Sequence, residues 1–265
     1  MLRSEVMDYY RRGGERDRLA DGQGRLEYLR TWDVLTRVLP GAPAEVLDVG
    51  GATGVYAGPL AEAGYRVHVV DPVPEHVVAA ASRPGVTAEV GDARELPVPD
   101  ASVDAVLLLG PLYHLLEREQ RVSAWREARR VVRPGGVVVA AMICRWASMF
   151  DGFVHGYYDD PSFRALVEGV LVDGVHRNVD PEKSFFTSAY FHDPAEVAGE
   201  VTGSGLAVER VVAVEGPLWQ TGPRLAGILA DPDRTELMLD MLRRVEEEPT
   251  LLGASSHFLA VARHR

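Results

Sequence analysis

The stretch "EVLDVGGATGVYA", Glu45 to Ala57, decides how this chain is read: an apolar run turns into a glycine cluster and then into a small-residue helix. A strand ending in such a turn commonly cradles a nucleotide-like ligand. Glycines let the ligand approach the backbone, and the helix that follows presents free N–H groups.

Around this stretch the chain alternates. "AEVLDVG" (44–50), "YRVHVVD" (65–71), "VTAEV" (86–90), "VDAVLLLG" (103–110) and "VVVAAMI" (137–143) read as strands. Helical patterns at 54–64, 74–82 and 117–132 separate them, and 103–110 has the continuous apolar character of a central parallel strand covered on both faces. A helix at 193–205 and strands at 206–216 and 256–264 follow, the last two expected as an antiparallel edge pair. The expected fold is therefore one α/β domain, a Rossmann-like doubly wound sheet of seven mostly parallel strands with an antiparallel edge strand. Its parts are a helical N-terminal cap (1–40), a core (41–143), an inserted lid (144–192) and the C-terminal part of the sheet (193–265). The lid is set apart by aromatic, His- and Asp-rich sequence, and long insertions of that kind are usually binding loops.

With 265 residues and 46% hydrophobic content, the chain can bury a large core. Its net charge of -11 lacks the electrostatic footprint that nucleic-acid phosphates demand, so a small molecule is the expected partner. Cys144 is the only cysteine, which excludes internal disulfides, Cys-based zinc sites and iron–sulfur clusters. No signal peptide and no run of about 20 apolar residues is visible, so a cytoplasmic location without membrane contact is expected.

The glycine turn leaves ATP, a dinucleotide and S-adenosylmethionine (SAM) as candidates. A P-loop needs a lysine after its glycines, yet Lys183 is the only lysine and no glycine precedes it. The dinucleotide pattern G-x-G-x-x-G is incomplete, because Val49 stands at its first position. The stretch does fit D-x-G-x-G-x-G with Asp48, Gly50 and Gly54, Ala52 replacing the middle glycine. On these residues, and on Asp71, "GDARELP" and "VDAVLLLGPLYHL" at the ends of the next strands, the sequence resembles the class I SAM-dependent methyltransferases.

That resemblance implies a cofactor site of Asp48, Gly50, Gly51 and Gly54 at the turn, with Asp71 and Pro72 at the ribose. Asp92 and Ala93 would meet the adenine, and Leu109 and Gly110 would line the site from the fourth strand. It implies that an arginine of the cap, Arg18 or Arg30, pairs with the methionine carboxylate, with Arg30 the chosen candidate. "Gly110-Pro111-Leu112-Tyr113-His114" replaces the Asn/Asp-Pro-Pro-aromatic tetrad of enzymes that methylate nucleic-acid or protein amines, and looks like bacterial methyltransferases of small, secondary metabolites. His114, as general base, and Tyr113, as orienting group, are the catalytic candidates. Tyr9, Tyr10, Trp146, His155 and Tyr158 are the acceptor-site candidates, and no metal is expected. At Ala52 the extra methyl predicts a negative φ or an outward-shifted loop. Two alternatives stand beside this reading: an NAD(P)-dependent oxidoreductase, and a non-catalytic binder of SAM or its demethylated product.

Overall fold

The computed structural model describes residues 3–11, 18–178, 180, 183 and 185–265. Helices α1 (Ser4–Arg11) and α2 (Gly22–Val38) precede β1 (Glu45–Val49). Then come α3 (Ala57–Glu62), β2 (Arg66–Asp71), α4 (Pro74–Ala81), β3 (Val86–Val90), β4 (Val103–Leu108), α5 (Arg118–Val131) and β5 (Val132–Ile143). The inserted part holds α6 (Ala147–His155), α7 (Pro161–Asp173) and a hairpin of β6 (Val175–His176) and β7 (Ala189–Tyr190). It is followed by α8 (Val197–Gly203), β8 (Ala207–Ala213), α9 (Pro223–Leu229), α10 (Pro232–Arg243), α11 (Pro249–Leu252) and β9 (His257–Arg263).

The seven-stranded sheet has the order β3-β2-β1-β4-β5-β9-β8. The first five of these strands are parallel, and β9 runs against both β5 and β8, the latter forming the edge. The chain leaves β1 toward β2 and returns beside β1 as β4, so the strand order reverses there. A crevice opens outside the carboxyl ends of strands at such a reversal. The mostly apolar sequences of β1 and β4 follow from cover on both faces: one core cluster holds Leu47, Val106 and Leu108, the other Val46, Ala105 and Leu107.

The segment 217–255, to which sequence patterning assigns no element, forms α9 to α11. Asp231 starts α10 by accepting the Asp233 and Arg234 amides, with Pro232 at the first helical position where its missing N–H costs nothing. Met238 and Leu242 of α10 pack with Leu225 of α9 against Leu26 of α2. The N-terminal cap is thereby fastened to the connection between β8 and β9.

Arg30 belongs to this fastening, which corrects its expected role at the cofactor. Its side chain is fully buried, donating to Asp33 at 2.7 Å, to Glu246 at 2.6 Å and to the Val214 carbonyl at 3.0 Å. A guanidinium this buried, held by two carboxylates and a carbonyl and absent from the cavity lining, is out of a cofactor's reach.

The aromatic insertion builds a core of its own. Tyr157 and Phe185 pack on Phe163 at centroid distances of 5.2 and 4.9 Å, and the Tyr158 hydroxyl donates to the Met149 carbonyl at 3.1 Å. Phe153 stays outside this core, 75% exposed. Among the described residues no helix is long and apolar enough to cross a membrane.

Candidate functional site

A cavity opens at the strand-order reversal. Asp48, Gly50, Gly51, Ala52, Asp71, Pro72, Asp92, Ala93, Leu109, Gly110, Tyr113, His114 and Tyr10 all line it, joined by Arg18, Glu27, Thr31, Tyr56 and His76.

Its floor is the glycine turn. A Cβ at Gly51 would sit 2.5 Å from the Asp48 carboxylate, and Gly50 takes a φ of 70°, open to glycine at little cost. Ala52 has a φ of 47°, against the expected negative value. The turn requires the left-handed region there because the Ala52 amide is drawn onto Asp71 Oδ2 at 3.0 Å. Relieving the methyl's steric conflict, Ala52→Gly is expected to raise stability by about 0.5–1 kcal/mol, the entropy of glycine taking back part of the gain. A urea midpoint equal to or below that of the wild type would refute the strain.

Asp48 is 1% exposed, and neither carboxylate oxygen has a hydrogen-bond partner. Burial, and then the nearby Asp71 charge, push its pKa up to about 7. A carboxyl bare of donors beneath a ligand-sized turn is built to receive one.

Asp71 closes β2 and is nearly as buried. Oδ1 accepts the Val73 amide at 2.9 Å and faces His76 Nδ1 at 3.2 Å, while Oδ2 holds Ala52. The side chain thus ties the glycine turn to the start of α4 while facing the cavity. At the far end, the Arg94 side chain clamps Asp92 at 2.6 Å and holds its carboxyl below the ordinary range, so Asp92 remains an acceptor. Gly91, beside it, has its Cβ position only 2.6 Å from a Val70 methyl.

The wall opposite is aromatic. Tyr10 of α1 meets His114 Nε2 through its hydroxyl at 2.7 Å, and Tyr113 and Phe186 stand 4.7 and 5.9 Å from the imidazole, centroid to centroid. Burial lowers the His114 pKa to about 4, against the opposing Ser188 backbone and Asp71 charge. The ring is therefore neutral at pH 7 and a weak base.

Several expected site residues lie elsewhere. Gly54 packs on Arg83 behind the turn, and Tyr9 stands one layer out, 5.6 Å from Phe186. Trp146 packs over Gly253, His155 pairs with Asp151 at 3.3 Å on α6, and Tyr158 belongs to the core of the insertion. None of these five lines the cavity. Glu27, Thr31, Tyr56 and His76 went unnoticed because each sits in an ordinary amphipathic or turn segment. The packing of α2 and α4 over the cleft brings in Glu27, Thr31 and His76, while Tyr56 stands at the head of α3, just after the glycine turn.

A family described as a methyltransferase domain matches residues 46–136. An uncharacterized methyltransferase of Mycobacterium tuberculosis is 41% identical over 100 residues, which is 37% of this chain and 40% of that protein. A ubiquinone/menaquinone biosynthesis C-methyltransferase of Rubrivivax gelatinosus is 36% identical over 99 residues, 37% of this chain and 38% of that protein. The chain thus spans about 40% of the length of the curated relatives it matches. Among solved structures, a SAM-dependent methyltransferase of Thermotoga maritima, a possible histamine N-methyltransferase, superposes with a TM-score of 0.63 at 18% identity, over 98% of this chain and 99% of that one.

The fold is that of the class I SAM-dependent methyltransferases. Residues 46–136 match the methyltransferase-domain family, and the Thermotoga neighbour with this fold is SAM-dependent. The residues present fit this cofactor: an orphaned buried carboxylate at Asp48, a cradle at Gly51 that a Cβ would fill, and a wall of rings that suits a soft cation.

Proposed function

We propose that the chain transfers the methyl group of SAM to an oxygen, nitrogen or electron-rich carbon of a small bacterial metabolite. The observation that carries this reading is the unpartnered Asp48 carboxylate under the glycine turn, within a cavity that also holds Asp71 and Asp92. When bound, SAM supplies a methyl on a positively charged sulfur, open to in-line displacement. Asp48 and the turn would hold the methionine end, Asp71 and Pro72 the ribose, and Asp92 and Ala93 the adenine. Tyr10, Tyr113 and His114 keep water from the reacting side. His114, held neutral, acts as a partner for the Tyr10 hydroxyl and as wall. A planar aromatic acceptor suits a ring-lined wall, in keeping with the quinone pathway in the name of the Rubrivivax relative. The net charge of -11 weighs against nucleic acid as the acceptor.

Calorimetric titration with SAM, S-adenosylhomocysteine and NAD(P)H tests the reading. SAM and its product should bind and NAD(P)H should not. Asp71→Ala is expected to weaken SAM by about 1–3 kcal/mol, since charge-assisted bonds are lost and the Ala52 amide is released. Asp71→Asn, which keeps one acceptor oxygen, should lose less, and wild-type affinity in the alanine variant would confine Asp71 to holding the turn. Binding without S-adenosylhomocysteine release across a broad acceptor panel would leave a non-catalytic binder.

A further inference from the structure

We propose that His257 and Glu215 form the proton-accepting pair of the reaction, and that the acceptor attacks through an acidic hydroxyl of the phenol or enol class. This rests on the methyl-transfer reading and names the substrate class it takes.

Four side chains from separate parts of the chain meet directly behind the cavity wall that Arg18 and Glu27 line: Arg18 ahead of α2, Glu27 on α2, Glu215 just after β8, and His257 at the first position of β9. Arg18 and Glu27 line the cavity and are paired with each other, one of the two bonds being 2.9 Å. His257 Nδ1 lies 2.7 Å from Glu215 Oε1 and 3.6 Å from Glu27 Oε2. Glu215 itself is fixed, its Oε2 accepting from Ser255 Oγ and from the His257 backbone amide, each at 2.9 Å. Its side chain is only 2% exposed, whereas that of His257 is 18% exposed.

With Nδ1 committed to a carboxylate, Nε2 makes no hydrogen bond to any described residue. An imidazole oriented in this way keeps one tautomer and offers its second nitrogen as a proton acceptor. The surrounding charges favour the protonated product. Burial lowers the His257 pKa, Glu27 and Glu215 raise it, Arg18 opposes them, and the net result lies above the ordinary value. From α6, Asp151 adds a carboxyl that burial keeps high and His155 stands beside it. His114 is driven the opposite way, so the two histidines of this region differ in what they can do.

In the step itself the acceptor's O–H bond breaks and the proton goes to Nε2. The freed electron pair forms the bond to the methyl carbon while the carbon–sulfur bond leaves its pair on sulfur. The imidazolium then returns its proton to solvent. Glu27, Glu215 and His257 also stand within 4.8 Å of one another, close enough to share a cation. Arg18 already occupies Glu27, and Ser255 with His257 occupies Glu215, so the cluster is complete as a proton site.

The full chain tests this without knowledge of the acceptor. Histidine-ring NMR titration should place the His257 pKa above that of a free histidine, and Glu215→Gln should lower it by about one unit or more. 4-Nitrophenol, yellow only when ionised, should become ionised on binding to the wild type below its own pKa, but not on binding to His257→Ala. With a phenol panel, His257→Ala should cut kcat by about 10²- to 10⁴-fold while calorimetric SAM affinity stays unchanged. Glu215→Gln should move the rising limb of the kcat–pH profile to lower pH. A His257 pKa unmoved by Glu215→Gln, or wild-type turnover of phenols by His257→Ala, overturns the proposal. Turnover abolished by EDTA and restored by a divalent cation overturns it too, in favour of a metal site. Should SAM fail to bind the wild type, the methyl-transfer reading fails, while the NMR and nitrophenol measurements still decide the pair.

Discussion

Arg30→Ala is expected to lose about 3 kcal/mol of stability and to bind SAM as tightly as the wild type. Truncation leaves Glu246, itself 4% exposed, with Arg37 as its remaining cation, and strips the Val214 carbonyl of a donor. Removing one member of a buried pair typically costs about 3–5 kcal/mol, because the partner's charge stays behind in a place that water cannot reach. The lower end applies because Arg37 and Arg243 still hold Asp33. Arg30→Lys should recover only part of the loss, since an ammonium cannot span the two carboxylates and the carbonyl as a planar fork does. Urea unfolding measures the first half of the expectation and calorimetry well below the transition the second. A variant with wild-type stability but much weaker SAM binding would return Arg30 to the cofactor site.

Asp48 should make the unliganded protein lose stability as pH rises toward neutrality. Its folded pKa of about 7 lies above the ordinary aspartate value of 3.8, so between these values the folded state binds more protons than the unfolded state, and stability falls with rising pH. The accumulated cost above pH 7 is about 4 kcal/mol. Asp48→Asn, which cannot ionise, should flatten the profile and be more stable than the wild type at pH 8. SAM has the reverse effect. A bound cation favours the ionised carboxylate, so SAM affinity should rise with pH through neutrality, with a proton released on binding. Stability measured from pH 5 to 8, without and with SAM, checks both signs, and parallel profiles for the wild type and Asp48→Asn would reject the account.

The sheet was legible because its signal is local. The first five strands are apolar or alternating runs set off by turn residues, and the glycine turn marks the strand end where the cavity opens. The cavity floor was legible for the same reason: Asp48, Gly50, Gly51, Asp71 and Asp92 all fall at strand ends in sequence order. The cluster of Glu27, Glu215 and His257 was not, since its members are separated by up to 230 positions and share no motif. Arg30 misled because a helical arginine reads the same whether it faces a ligand or two carboxylates from remote segments. The aromatics of the insertion misled because burial among themselves satisfies them as well as burial against a substrate would.

β9 sits between β5 and β8, yet it is drawn from the end of the described chain. Strand β8 leaves the ribosome earlier but has nowhere to dock until β9 has zipped along β5 from Val137 to Ile143. Up to that moment the longest strand of the sheet keeps a bare edge open to any passing strand, an aggregation hazard of the nascent state. The same late arrival carries His257 into place opposite Ile143, so its pairing with Glu215 waits on the event that seals the sheet.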